Sequence, residues 1–168
     1  MSYKSPIEDF KYNLAMLNYD EVIAGIEKFK EYDSETLMSV VSEIGRLNEQ
    51  EVLDSNKIGD REGLKYVTDG PEGPEVHTPE RFKKLYDAVK SSGYVGATMP
   101  TQYGGGGAPF TTAILAGEIG IAANMAFYMG PGLSHGAMKT ILKKATEELK
   151  DKYLCLLYTS DAADELLC

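Results

Sequence analysis

Tryptophan is absent from the 168 residues, and cysteine and histidine occur only twice each. So few cysteines exclude a dense disulfide framework. Neither His77 nor His135 has a second histidine or a cysteine at metal-ligand spacing, so no metal site is expected. Cations are also scarce: 17 Lys and Arg stand against 26 Asp and Glu, for a net charge of −9. Phosphate recognition needs a concentrated cationic surface, so nucleic acid is not an expected partner. The stretch Met1 to Asp9 lacks the apolar run of a secretory signal, which makes the expected location cytoplasmic. What is present is 43% hydrophobic residues in a length that suits one domain with a real core.

Helical periodicity runs through most of the chain. Pro6 opens a first helix with Phe10, Leu14 and Leu17 as its apolar stripe. Asp20 is placed to cap a second, in which Val22, Ile26 and Phe29 repeat at i, i+4 and i+7. Asp33 or Ser34 caps a third, carrying Leu37, Val40, Val41, Ile44 and Leu47. After Leu53 the Gly- and Pro-rich composition predicts a long irregular loop to Thr78, with at most a short hairpin at Tyr66 to Thr68. Thr78-Pro79-Glu80 then reads as a cap, a first helical position and a first-turn acid. Phe82, Leu85, Tyr86 and Val89 form that helix's buried face, and Gly93 is placed to end it.

Thr111 to about Met129 is rich in Ala, Ile and Gly, and Pro131 is the expected break before Leu133–Lys144, where Ala137, Ile141 and Leu142 share one side. Thr146 caps a last helix starting at Glu147. Glu118 and the Pro131 break argue against a membrane span and for a helix buried in a bundle. No alternating pattern supports a β-domain. The expected fold is all-α, a bundle of about six helices.

Chemistry-bearing residues are few. Gly104 to Gly107 could suggest a phosphate cradle, but no Walker spacing and no preceding strand accompany it, so a turn between helices is the reading. His77 sits on an exposed lead-in to a helix, and His135 lies among glycines that permit close approach by a ligand, but with no triad partner readable a core or surface histidine is the reading. Glu118, alone in an apolar helix, reads as a carboxylate paired with Arg46, Arg61, Arg81 or backbone donors. The acid clusters Glu49-Gln50-Glu51 and Glu147-Glu148 read as solvated helix faces.

Met99-Pro-Thr-Gln-Tyr-Gly-Gly105, a helical Glu118, Ala123-Asn-Met-Ala-Phe127, Pro131-Gly-Leu133 and Gly136-Ala137 follow one another in an order that resembles the N-terminal domain of acyl-CoA dehydrogenases. Ala145 to Leu154 resembles the helix leading into that family's middle domain. Tyr3-Lys-Ser-Pro6, with Leu53 to Asn56 and Gly59-Asp-Arg-Glu-Gly63, resembles the branch containing the 3-methylmercaptopropionyl-CoA dehydrogenases. By contrast, Cys155 to Glu165 resembles a translated transposase adapter used in sequencing libraries. The expected organisation is therefore a helical extension over 1–32, the family's N-terminal α-domain over 33–154 and a non-native tail over 155–168, which would hold both cysteines.

The resemblance implies α,β-dehydrogenation of an acyl-CoA thioester, 3-methylmercaptopropionyl-CoA or a fatty acyl-CoA, with FAD as hydride acceptor. It implies electron-transfer flavoprotein as redox partner and a homo-oligomeric full-length enzyme. In that family the flavin platform and the catalytic carboxylate lie in later domains. This stretch alone is therefore expected to contain no catalytic, cofactor-binding or metal-binding residue and to be inactive. The segment Phe127 to Gly136 would face the acyl pocket, giving Met129, Gly132 and Gly136 as substrate-binding residues. Apolar faces around Ile114 to Met129 would be left uncovered and favour self-association. The alternative is a stand-alone helical interaction module without cofactor. A related acyl-CoA oxidase is a third reading that these residues do not separate.

Overall fold

The computed structural model describes residues 3–71 and 73–159, without the side chains of residues 155, 158 and 159. Helices α1 (Ile7–Met16), α2 (Ser34–Leu47) and α3 (Leu53–Glu62) precede a hairpin of β1 (Lys65–Gly70) and β2 (Gly73–His77), followed by α4 (Glu80–Ser91), α5 (Phe110–Lys144) and α6 (Glu147–Thr159). The all-α expectation holds, with six helices and one two-stranded antiparallel hairpin among the described residues. Three clusters of buried side chains form the core. Phe10, Leu14, Tyr19, Leu37, Met38, Val41 and Ile119 make the first. Val52, Leu85, Val89, Ala123, Phe127 and Tyr128 make the second, and Met99, Tyr103, Met138 and Leu154 the third. Helix α5 supplies side chains to all three, so it is the element on which the rest is assembled.

Local signals set several boundaries as expected. The Asp33 carboxylate accepts from the Thr36 amide at 2.7 Å and caps α2. Gly93 takes the left-handed conformation just past α4, at φ 71°. Thr146 Oγ1 accepts from the Leu149 amide at 3.4 Å at the start of α6. That helix continues to Thr159, and Leu156 is buried, so its packing extends into the stretch expected to be a non-native tail.

Other expectations are corrected. The second helix does not form: residues 20–29 make a π-turn and a 3-10 turn separated by Ile26, which is extended. Asp20 instead accepts from the Ser34 amide at 2.6 Å and from Ser34 Oγ at 2.7 Å, bracing the start of α2. Leu17 lies on the exposed side of its segment. The first part of the expected irregular loop is instead helix α3, continuous with α2 through a π-turn at Asn48–Val52, whereas the short hairpin allowed at Tyr66 to Thr68 does form. Long-range contacts hold α3 despite its polar sequence. Ser55 is fully buried, and a Cβ on Gly59 would lie 2.7 Å from Cζ of Phe82 on α4. Helix α4 begins after Pro79 with no side-chain cap from Thr78. The acid clusters are largely solvated, as expected, and three of their carboxylates are also bonded: Glu49 accepts from Lys4 Nζ and the Ser5 amide, Glu51 pairs with Arg81, and Glu147 accepts from Tyr103 and Lys150.

Candidate functional site

Helix α5 is long and apolar enough to cross a bilayer by length and composition. It is broken, however, and the break is polar. Asn124 leaves helical geometry at φ −158°, ψ 92°. Its Oδ1 accepts from the Phe127 amide at 3.1 Å, so the side chain caps the second half of the helix. Its Nδ2 donates to Ser55 Oγ at 2.8 Å, and Ser55 Oγ donates onward to the Val52 carbonyl. One turn later, Tyr128 Oη donates to Asn48 Oδ1 at 2.9 Å, while Asn48 Nδ2 donates to the Ile44 carbonyl. The break in α5 thus faces the π-turn between α2 and α3, and two buried asparagines satisfy both irregularities. Pro131, expected to end the helix, lies inside it.

The bend opens a cavity of about 150 Å³ between the two halves of α5 and the loop before it. Tyr94, Val95, Ala97 and Thr98 come from the loop, Thr112, Ala113, Gly117 and Ile121 from the first half, and Tyr128, Pro131, Gly132 and His135 from the second. The His135 ring nitrogen Nε2 lies 3.3 Å from Thr98 Oγ1. Burial, then the nearby Lys139 ammonium, push the imidazole pKa down, so it is neutral near pH 7. Burial lifts the Tyr94 phenol to about 12 and raises that of Tyr128 as well, so neither ionises in the neutral range. Thr112 Oγ1 is buried without a hydrogen-bond partner among the described residues. The cavity is therefore an uncharged, mainly apolar recess with three polar points, Thr98, Thr112 and His135. Its lining contains no carboxylate or thiol, and the polar groups it offers are two threonine hydroxyls and the His135 imidazole.

Of the sequence-derived substrate residues, Gly132 lines this cavity, whereas Met129 and Gly136 do not. Met129 is 65% exposed and forms a surface stripe with Ile121, Met125 and Leu133 on α5. A Cβ on Gly132 or Gly136 would meet nothing within 4 Å. Ile114 is exposed too, in keeping with the uncovered face expected there. Glu118 is exposed rather than paired in the core: Arg46 binds Glu43 and Gln50, and Arg81 binds Glu51. His77 is exposed at the end of β2, with Nε2 3.0 Å from Glu75. Asn124 and Thr112 were not singled out by their sequence context. An asparagine three residues before Phe127, within an Ala-rich run, was the available signal for the first.

The glycine run is a turn, as expected, and its amides are occupied. Gly105, Gly106 and Gly107 donate to the carbonyls of Pro100, Gly96 and Met99, and Ala108 donates to Ala97. These N–H groups cannot cradle a pyrophosphate. A recess of about 150 Å³ is also below the roughly 300–1,000 Å³ typical of small-molecule pockets. Among the described residues no group of three or more His, Cys, Asp or Glu could bind a metal.

Residues 70–161 match the family described as acyl-CoA dehydrogenase, N-terminal domain. Along 95% of its length the chain is 26% identical to a 3-methylmercaptopropionyl-CoA dehydrogenase of Ruegeria pomeroyi, of which it covers 26%. It is also 29% identical, along 88% of its length, to a broad-specificity linear acyl-CoA dehydrogenase of Mycobacterium tuberculosis, of which it covers 24%. The chain spans about a quarter of the length of these relatives.

Proposed function

This chain belongs to the acyl-CoA dehydrogenase family, and from that premise we propose that it is the amino-terminal part of an FAD-dependent enzyme that dehydrogenates an acyl-CoA thioester between its α and β carbons. The observation that carries the reading is the family match over residues 70–161, which contains the glycine loop, the bent α5 and the recess they enclose. FAD, bound elsewhere in the longer protein, would accept the β-hydrogen as hydride. A carboxylate outside these 168 residues would take the α-proton. Here, α5 supplies a wall. Met129, Gly132 and Gly136 lie on one helical face at i, i+3 and i+7, with open space above both glycines. That open face is where an acyl group would lie.

The 168-residue chain alone is proposed to be inactive and colourless. The longer enzyme is proposed to be a cytoplasmic homo-oligomer that passes electrons to an electron-transfer flavoprotein. The test is to recover the uninterrupted gene, express the longer protein and titrate it with a panel of acyl-CoA esters. Expected are stoichiometric flavin and substrate-dependent bleaching in the longer protein, and neither in the 168-residue chain with added FAD. Flavin held by the short chain, or a longer protein that binds no flavin, would overturn the assignment.

A further inference from the structure

The recess between the two halves of α5 is kept open by absent side chains. Gly117 and Gly132 both line it, and a Cβ on either would meet nothing within 4 Å. At about 150 Å³ it is too small for a whole ligand but has room for about six heavy atoms of one. Gly132 also belongs to the open face shared with Met129 and Gly136, so the recess continues that face inward. Its polar groups are incompletely bonded. Thr112 is 1% exposed, and its Oγ1 has no hydrogen-bond partner among the described residues. His135 Nε2 makes one long contact, 3.3 Å, to Thr98 Oγ1. A buried hydroxyl left unpaired is costly, and native structures nearly always pair such groups.

We propose that the recess is a binding site for a small uncharged group carrying one hydrogen-bond-accepting oxygen, with Thr112 Oγ1 as its donor. The assignment of that group to the far end of an acyl chain rests on the acyl-CoA dehydrogenase reading. An ether or ketone oxygen there satisfies Thr112, whereas a methylene in the same place leaves the hydroxyl unpaired. The lining holds no Lys, Arg, Asp or Glu, so a charged end would be buried without a counter-ion.

Two arms separate the site from the enzyme reading. In the first, the 168-residue chain and its Thr112→Val variant are titrated with tetrahydrofuran and with cyclopentane. Amide NMR shifts read the dissociation constants. Transfer from water favours the hydrocarbon, so the measure is the change in the ratio of the two constants, in which transfer cancels. Thr112→Val is expected to move that ratio about fivefold toward cyclopentane, with shifts centred on Ala113, Gly117 and Gly132. The urea midpoint is expected to hold or rise, because no bond within the chain is lost. No binding, an unchanged ratio, shifts centred elsewhere, or a lowered midpoint would each overturn the proposal. In the second arm the longer protein is assayed with 4-methoxybutanoyl-CoA and hexanoyl-CoA, whose acyl chains have equal length. The same substitution is expected to lower the ratio of their kcat/KM values about fivefold. An unmoved ratio after a positive first arm would make the ligand a free small molecule and overturn the acyl assignment. A longer protein that oxidises neither ester would overturn the enzyme reading, and the first arm alone would then decide the site.

Discussion

Two glycine-rich stretches, one before α5 and one in its second half, use the same residue for opposite reasons. At Gly104 to Gly107 the backbone is crowded. A Cβ on Gly106 would lie 2.7 Å from the Ala97 carbonyl oxygen, one on Gly105 would overlap the Met99 carbonyl, and Gly104 sits at φ 82°. At Gly130, Gly132 and Gly136 a Cβ would meet nothing within 4 Å. The first stretch is glycine because the fold permits nothing larger. The second is glycine although the chain as it stands would accept a side chain, which makes it the stretch whose composition the local fold does not explain. The distinction separates a structural turn from a surface left open for something else.

The largest expected effect that sharpens this contrast is Gly105→Ala. The new methyl would collide with backbone rather than with a flexible side-chain tip, so the loop and its bonds to Met99 and Ala97 must move. A loss of about 3 kcal/mol or more is expected. It would be read as a lower urea midpoint with an unchanged slope. A near-neutral result would show that the glycine run is not required by packing.

Asn124→Ala comes next. It removes the cap on the second half of α5 and leaves buried Ser55 without the amide that donates to it. Cap loss and an under-satisfied buried group together predict about 2–3 kcal/mol. Asn124→Ser separates the two contributions, because it keeps a capping oxygen, adds no buried charge and removes the amide donor to Ser55. It should therefore recover part of the loss by the same measurement. Equal losses in both variants would show that the cap contributes nothing.

The same pairings explain which features could be read in advance. Asp33, Gly93 and Thr146 act within three residues of themselves, so their roles were legible. The stripe on α2 was legible because burial at Leu37, Val41 and Ile44 follows helical spacing. Helix α3 was not, since Gly59 depends on Phe82 of α4, and Ser55 on Asn124 some 69 positions away. The break in α5 was misplaced for a related reason. Pro131 lacks one amide hydrogen and the helix absorbs that loss, whereas Asn124 sits opposite the π-turn with two satisfied bonds. Of the candidate site, His135 drew notice for its flanking glycines and Gly132 through the family resemblance alone. The loop wall at Tyr94 to Thr98 was not, because it reaches His135 only across the fold.

The smallest expected effect addresses the open glycines directly. Gly136→Ala adds a methyl to a helix interior where nothing lies within 4 Å, so no steric cost opposes the gain in backbone rigidity. The substitution should stabilise the 168-residue chain by about 0.5–1 kcal/mol, seen as a higher urea midpoint. In the longer protein the same methyl would stand in the space proposed for the acyl group. There the expectation is a raised KM that grows with the bulk of the acyl chain, while the folded protein is as stable or more so. Stabilisation with an unchanged KM across short and long acyl-CoA esters would show that the space above Gly136 serves neither packing nor substrate. Destabilisation would show instead that another part of the longer protein packs against this face, replacing substrate room with contact as the reason for glycine.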